Sequence, residues 1–173
     1  NYPPLFPSLT ALLLSLTKDP SFLIKFLATF VFALRPAAAY IFSMVVFRNR
    51  LVAFSAAMMI MLLPIHVEML GWGGYPNLLC LSILMIAMSL LILWIRGDDG
   101  WAFPVLTIFS VMIALGHNLT LLMYSTSLLL LLISSLALRR WSTALKLVSI
   151  LTLTVGTYVI YNLVFLWPPQ YVL

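Results

Sequence analysis

His66 and Glu68 stand two residues apart in the segment IHVEMLGWGGYPN, residues 65–77. On a regular helix they would not share a face; in an irregular turn they can converge. The Gly-Trp-Gly-Gly-Tyr-Pro core lets the backbone turn sharply and approach a ligand closely. Trp72 and Tyr75 are flat amphipathic rings, suited to stacking on a sugar or to lying at headgroup level. The plain alternative is an interfacial loop with aromatic anchors and a solvated His and Glu. The second histidine, His117, opens the stretch His-Asn-Leu-Thr, residues 117–120. An imidazole can hydrogen-bond a phosphate or carry a proton near neutral pH; a simple helix-ending turn is the competing reading. Asn118 shares that turn, and Asn118-Leu119-Thr120 matches a glycosylation acceptor but lies too close to the apolar runs to serve as one. Arg35 falls inside an apolar run. There a guanidinium must snorkel, pair or bind an anion, and its bidentate fork suits phosphate. Asp98-Asp99 read as a solvated turn before they read as a metal pair. Met58, Met59 and Met61 read as lipid-facing or packing side chains, and the single cysteine, Cys80, as a small buried apolar residue. No Gly-rich phosphate loop, zinc spacing or Ser/His/Asp set is present.

The elements that hold these groups follow from composition. Hydrophobic residues make up 64% of the 173 and charged residues 8%, against roughly 25% charged in a soluble domain. Too few polar groups exist to coat a globule, so the solvent is lipid. In lipid every backbone N–H and C=O needs an internal partner, which leaves helices or closed barrels. The apolar runs are long and lack strict alternation, which selects helices. The expected fold is an all-α, polytopic transmembrane bundle of about six to eight membrane helices, some short or kinked, in one domain over residues 1–173.

Residues 77–95, 119–138 and 147–167 are charge-free runs long enough to cross, since roughly 20 residues span the hydrocarbon core. Residues 101–116 form a shorter span with Pro104 in its first turn, where a missing N–H does no harm. Residues 51–63 form another helix that meets Pro64, with a kinked continuation through Leu70 as the alternative to a stop there. Residues 5–17 are short for a crossing. Residues 21–47 are interrupted by Arg35-Pro36 and read either as one kinked helix or as two short ones.

The net charge is +5. The basic residues sit in short clusters between apolar runs, the pattern of membrane loops and not of a nucleic-acid surface. Residues 48–50, 96–100 and 139–146 then share one side, expected to be cytoplasmic, in a cell (plasma) membrane. Residues 64–76 and 116–118 share the external side with Trp72, Tyr75 and Trp167 as an aromatic belt. Tyr2 is external if residues 5–17 only dip into the membrane, or if they cross and residues 21–47 split in two, and cytoplasmic if residues 5–17 cross and residues 21–47 are one helix. The chain begins at Asn1 and reads as a fragment of a longer polypeptide. Oligomeric state is not legible.

Tyr-Pro-Pro-Leu-Phe-Pro (residues 2–7) opening a short apolar helix resembles the His/Tyr-Pro-Pro-Leu element of the GT-C superfamily of membrane glycosyltransferases. That superfamily includes protein mannosyltransferases and aminoarabinose transferases. Gly-Gly-Tyr-Pro (73–76) and His-Asn-Leu-Thr (117–120) resemble elements of archaeal and bacterial relatives, some labelled 6-pyruvoyl-tetrahydropterin-synthase-related membrane proteins. The resemblance implies sugar transfer from a polyprenyl-phosphate donor on the external face, with Tyr2 on that face. The family's catalytic acid usually lies upstream of the Pro-Pro element, so the resemblance implies that part of the active site, including the general base, is missing from this fragment, unless Glu68, with His66, accepts the acceptor proton or holds a divalent cation. Arg35, His117 and Asn118 would meet the lipid phosphate, and Trp72, Tyr75 and Tyr2 the sugar. A transporter or flippase, with binding groups at mid-membrane on broken helices, and a non-catalytic scaffold are the competing classes.

Overall fold

The computed structural model describes residues 4–64, 74–97 and 100–166. Among them the chain is all-α: α1 (Leu5–Thr17), α2 (Pro20–Phe47), α3 (Arg50–Leu62), α4 (Tyr75–Arg96), α5 (Ala102–Gly116), α6 (Asn118–Ala137) and α7 (Trp141–Tyr161), closed by a π-helical turn, Asn162–Leu166. Four of these helices are long and apolar enough to cross a membrane: α2, α4, α6 and α7. The outer surface agrees with a hydrocarbon surround, because Leu51, Met59, Leu62 and Leu145 are each at least 70% exposed. In water such a surface would aggregate.

Local chemistry sets the helix ends. Asp19 caps α2 by accepting from Ser21 N and Phe22 N at 2.9 and 3.1 Å, with Pro20 at the first helical position. Asn49 caps α3 in the same way through Leu51 N and Val52 N. Gly97, at φ +80°, closes α4 in the left-handed conformation, which glycine adopts without a Cβ clash. Pro104 lies within the first turn of α5.

α2 is one helix of 28 residues that runs through Pro36. Of the two readings of residues 21–47, the single helix is the one formed. α7 starts at Trp141, not at residue 147, so Lys146 lies inside it. A charge-free window marks the apolar part of a span and not its first turn. Lys146 is tolerated because its ammonium donates to Trp94 O at 2.8 Å and lies 5.0 Å from the Trp94 ring centre. The extension of α3 past Pro64 and the pair Asp98-Asp99 lie outside the described residues.

Two long-range bonds fix the register. Arg96 Nη1 donates to Val45 O at 2.6 Å, so α2 and α4 end together. Lys146 ties the start of α7 to that same end. Segments 48–50, 96–97 with 100, and 139–146 therefore share one end of the bundle, as the loop charges imply; we call it the basic end. Along α2, Pro20 lies 25 residues from Val45, roughly 37 Å at 1.5 Å per residue, and so sits toward the opposite end. Leu5 lies against Gly116 and the Phe6 ring stacks on Tyr75, 6.3 Å between centroids. Both ends of α1 therefore lie toward that opposite end, and α1 does not cross.

The core is formed where α4, α5, α6 and α7 meet, with Leu78, Leu91, Leu106, Ile113, Leu128 and Ile150 almost fully enclosed. A polar tie across it joins Ser110 Oγ and Tyr124 Oη, 3.0 Å apart and buried. These residues are each seven positions from His117, so they are level in the antiparallel α5–α6 pair. An apolar cleft of about 430 Å³ lies between α1, α2, α4 and α5, lined by Leu9, Leu13, Phe30, Leu34, Ile86 and Met112 among others.

Candidate functional site

Three stretches far apart in the chain meet at the end opposite the basic loops. The start of α1 brings Leu5 and Phe6, the start of α4 brings Tyr75, and the α5–α6 turn brings His117 and Asn118. Tyr75 opens α4 ahead of Pro76, which is helix-compatible in the first turn. The Phe6 and Tyr75 planes differ by 4°, so the two rings lie nearly parallel and Phe6 fixes the orientation of Tyr75. Gly116, the last residue of α5, sits so close to Cys80 that a methyl group there would collide with Cys80 Sγ. This close approach brings α4 and the α5–α6 turn together, the role small residues play in membrane helix packing.

His117 is extended, with φ −160° and ψ 126°, and caps both α5 and α6. It is half-buried, and its Nδ1 is enclosed with no hydrogen-bond partner among the described residues. Burial holds the imidazole below its ordinary pKa of 6.5. Asn118 is exposed as the first residue of α6. Three residues on, Thr120 is fully buried and its Oγ1 also lacks a partner among the described residues.

The lowered His117 pKa predicts a pH dependence of stability with a definite sign. The folded state favours neutral imidazole. Above pH 6.5 both states are neutral and the group is without effect. As pH falls through that value the unfolded chain takes up its proton first, and stability drops until the folded imidazole also titrates. Wild type should lose stability between neutral pH and about pH 5 relative to His117→Gln, in which this contribution is absent. Equilibrium unfolding of the two proteins across that range checks it; parallel curves would contradict it.

Arg35 is not brought to this cluster. Because α2 is unbroken, Arg35 lies ten residues from Val45, roughly 15 Å along the axis, and its neighbour Leu34 lines the cleft with Ile83 and Ile86, halfway down α4. Its Nε and Nη1 are enclosed and have no partner among the described residues. The expectation of Arg35 at a lipid-phosphate position depended on its lying at the external end; it sits at mid-depth instead. Tyr2, His66, Glu68 and Trp72 lie outside the described residues, and with Glu68 goes the divalent-cation expectation. Cys80 is buried and free, and Met58, Met59 and Met61 are exposed on the outer surface, both as expected from their settings.

Gly116 and Thr120 belong to the turn the sequence offered at this end and Phe6 to the motif at residues 2–7, but residue types alone did not single out Cys80 as part of it or show which of these side chains meet. The available signal was slight: Thr120 follows His117 by three positions, which places them on one helix face. No protein-family model, curated protein or solved structure matches the chain.

Proposed function

We propose that this chain belongs to a membrane glycosyltransferase of the GT-C type, which moves a sugar from a polyprenyl-phosphate donor at the external membrane face. The observation that carries this reading is the meeting of the three motif-bearing stretches at one end: α1 with its Pro-Pro-Leu start, α4 with its Gly-Gly-Tyr-Pro start, and α6 with its His-Asn-Leu-Thr start. They are separated by tens of residues and belong to different helices, yet Phe6 stacks on Tyr75 and Leu5 lies against Gly116, next to His117. The apolar cleft between α1, α2, α4 and α5 suits a prenyl chain. The positive-inside bias supports a cytoplasmic basic end and an external motif end, and the reading takes the membrane as the plasma membrane. Glu68, with His66 beside it, is the candidate base, and Trp72, Tyr75 and Tyr2 are candidate sugar contacts. The test is transfer of labelled hexose from a polyprenyl-phosphate donor by the protein in proteoliposomes. Loss of a general base costs about 100-fold or more, so Glu68→Gln should fall by that order and His117→Ala should also fall. Unchanged transfer in both variants would remove the site assignment.

A second reading has its own observation. Arg35 is a half-buried guanidinium at mid-depth with unpartnered nitrogens among the described residues, where a transporter or flippase for an anion places its binding groups. Arg35→Gln should then abolish anion movement across proteoliposomes. Under the transferase reading it leaves the motif end intact.

A further inference from the structure

Several deeply buried hydroxyls in this bundle are satisfied within their own helix, while Ser125 Oγ, in a less buried residue, is enclosed without a partner among the described residues. Ser82, Ser89 and Thr154 each donate to the carbonyl four residues earlier in their own helix, at 3.0, 2.8 and 2.7 Å. This satisfies the group without help from a neighbour. Thr120 is as deeply buried as any of them, at 0% exposure, but makes no such bond. Its position explains why: four residues earlier is Gly116, which belongs to α5, so no helical carbonyl lies behind it. A hydroxyl left unpaired in an apolar surround costs on the order of a few kcal/mol, and a ligand acceptor would remove that cost.

The surroundings of Thr120 are donors. Side chains on a helix lean toward its N-terminus, so the hydroxyl of the third helical residue points at the start of α6. There the first-turn N–H groups of Asn118, Leu119 and Thr120 have no intrahelical acceptor, and no side chain caps them. His117 Nδ1, one turn away on the same face, is enclosed and likewise unpartnered among the described residues. The only acidic side chain among the described residues, Asp19, is engaged in capping α2. The adjacent C-terminus of α5 offsets much of the α6 dipole, so the case rests on directed donors and not on a net field. Several donors at one turn, with no acidic side chain among the described residues to engage them, match a tetrahedral oxyanion.

We propose that the start of α6 is a phosphate-binding site, formed by the Thr120 hydroxyl, the His117 imidazole and the first-turn N–H groups of Asn118, Leu119 and Thr120. It deepens the transferase reading by assigning the donor phosphate to this turn and not to Arg35, and it rests on that reading only for the source of the phosphate. A lipid-linked headgroup and free phosphate share the chemistry.

The test uses the whole protein in nanodiscs, titrated with a short-chain polyprenyl phosphate and, separately, with inorganic phosphate. Hydrogen bonds to charged groups are strong enough that Thr120→Val, which removes only the hydroxyl, should weaken binding about tenfold or more, whereas Thr120→Ser stays within about threefold. The His117 imidazole ¹⁵N resonances of the wild-type protein should shift on binding, a readout that needs no variant to fold. Displacement of the lipid by millimolar inorganic phosphate identifies the headgroup alone as the ligand; failure to displace it identifies the lipid-linked phosphate. The proposal is overturned if neither ligand binds wild type, if the His117 resonances stay fixed under saturating ligand, or if the valine variant binds as the wild type does. Binding with these signatures but no sugar transfer would leave the site standing and remove the transferase.

Discussion

Replacement of Tyr124 by alanine should cost about 3–5 kcal/mol, the range for deleting an enclosed aromatic side chain. Tyr124 is the largest fully buried side chain among the described residues, and its hydroxyl meets Ser110 at 3.0 Å across the α5–α6 pair. Alanine removes the ring from the core between α5 and α6 and leaves the Ser110 hydroxyl without its partner. The two contributions separate with Tyr124→Phe, which keeps the ring and should cost only about 0.6–1.7 kcal/mol, as interhelical hydrogen bonds do in membranes. Reversible unfolding in mixed SDS and dodecylmaltoside micelles measures both. An alanine variant as stable as the phenylalanine variant would mean that the ring is not part of the packed core.

Gly116→Ala should cost about 1–3 kcal/mol, the usual penalty for overpacking. The added methyl would collide with Cys80 Sγ and approach Leu5 Cδ2 to 3.3 Å, while Cys80 Cβ stays at an ordinary 3.9 Å. Removing only the sulfur should therefore make room. Cys80→Ala combined with Gly116→Ala should recover most of the loss, and the non-additivity is the signature of direct contact. Additive losses would show that the two residues do not touch. Because Gly116 precedes His117, the single variant should also disturb whatever the motif end binds.

Much of this architecture was legible along the chain. A charged fraction of 8% and apolar runs of about twenty residues specify a lipid surround, helices and their approximate spans. The clustering of Arg48, Arg50, Arg96, Arg139, Arg140 and Lys146 anticipated that their segments share one end, which the Arg96–Val45 and Lys146–Trp94 bonds now tie together. These are properties each segment carries by itself. Hydropathy and charge act residue by residue, so they can be read without knowing what a helix touches.

The placement of Arg35 could not be read this way. Arg-Pro in an apolar run permits a break or a continuous helix, and packing of α2 along α3 and α4 selected the continuous one, which moved the guanidinium to mid-depth. Nor could the return of α1 to the motif end be read, since thirteen apolar residues are equally content dipping or crossing. The unpartnered state of Thr120 among the described residues follows from the break at His117, one residue after α5 stops and one before α6 starts, a feature of tertiary folding. Hydrocarbon treats every apolar side chain alike, so transfer energy locates helices but does not choose their neighbours. That choice falls to shape: the missing Cβ of Gly116 against Cys80, the Phe6 ring on Tyr75, and the hydroxyls of Ser110 and Tyr124 reaching each other across a packed interface.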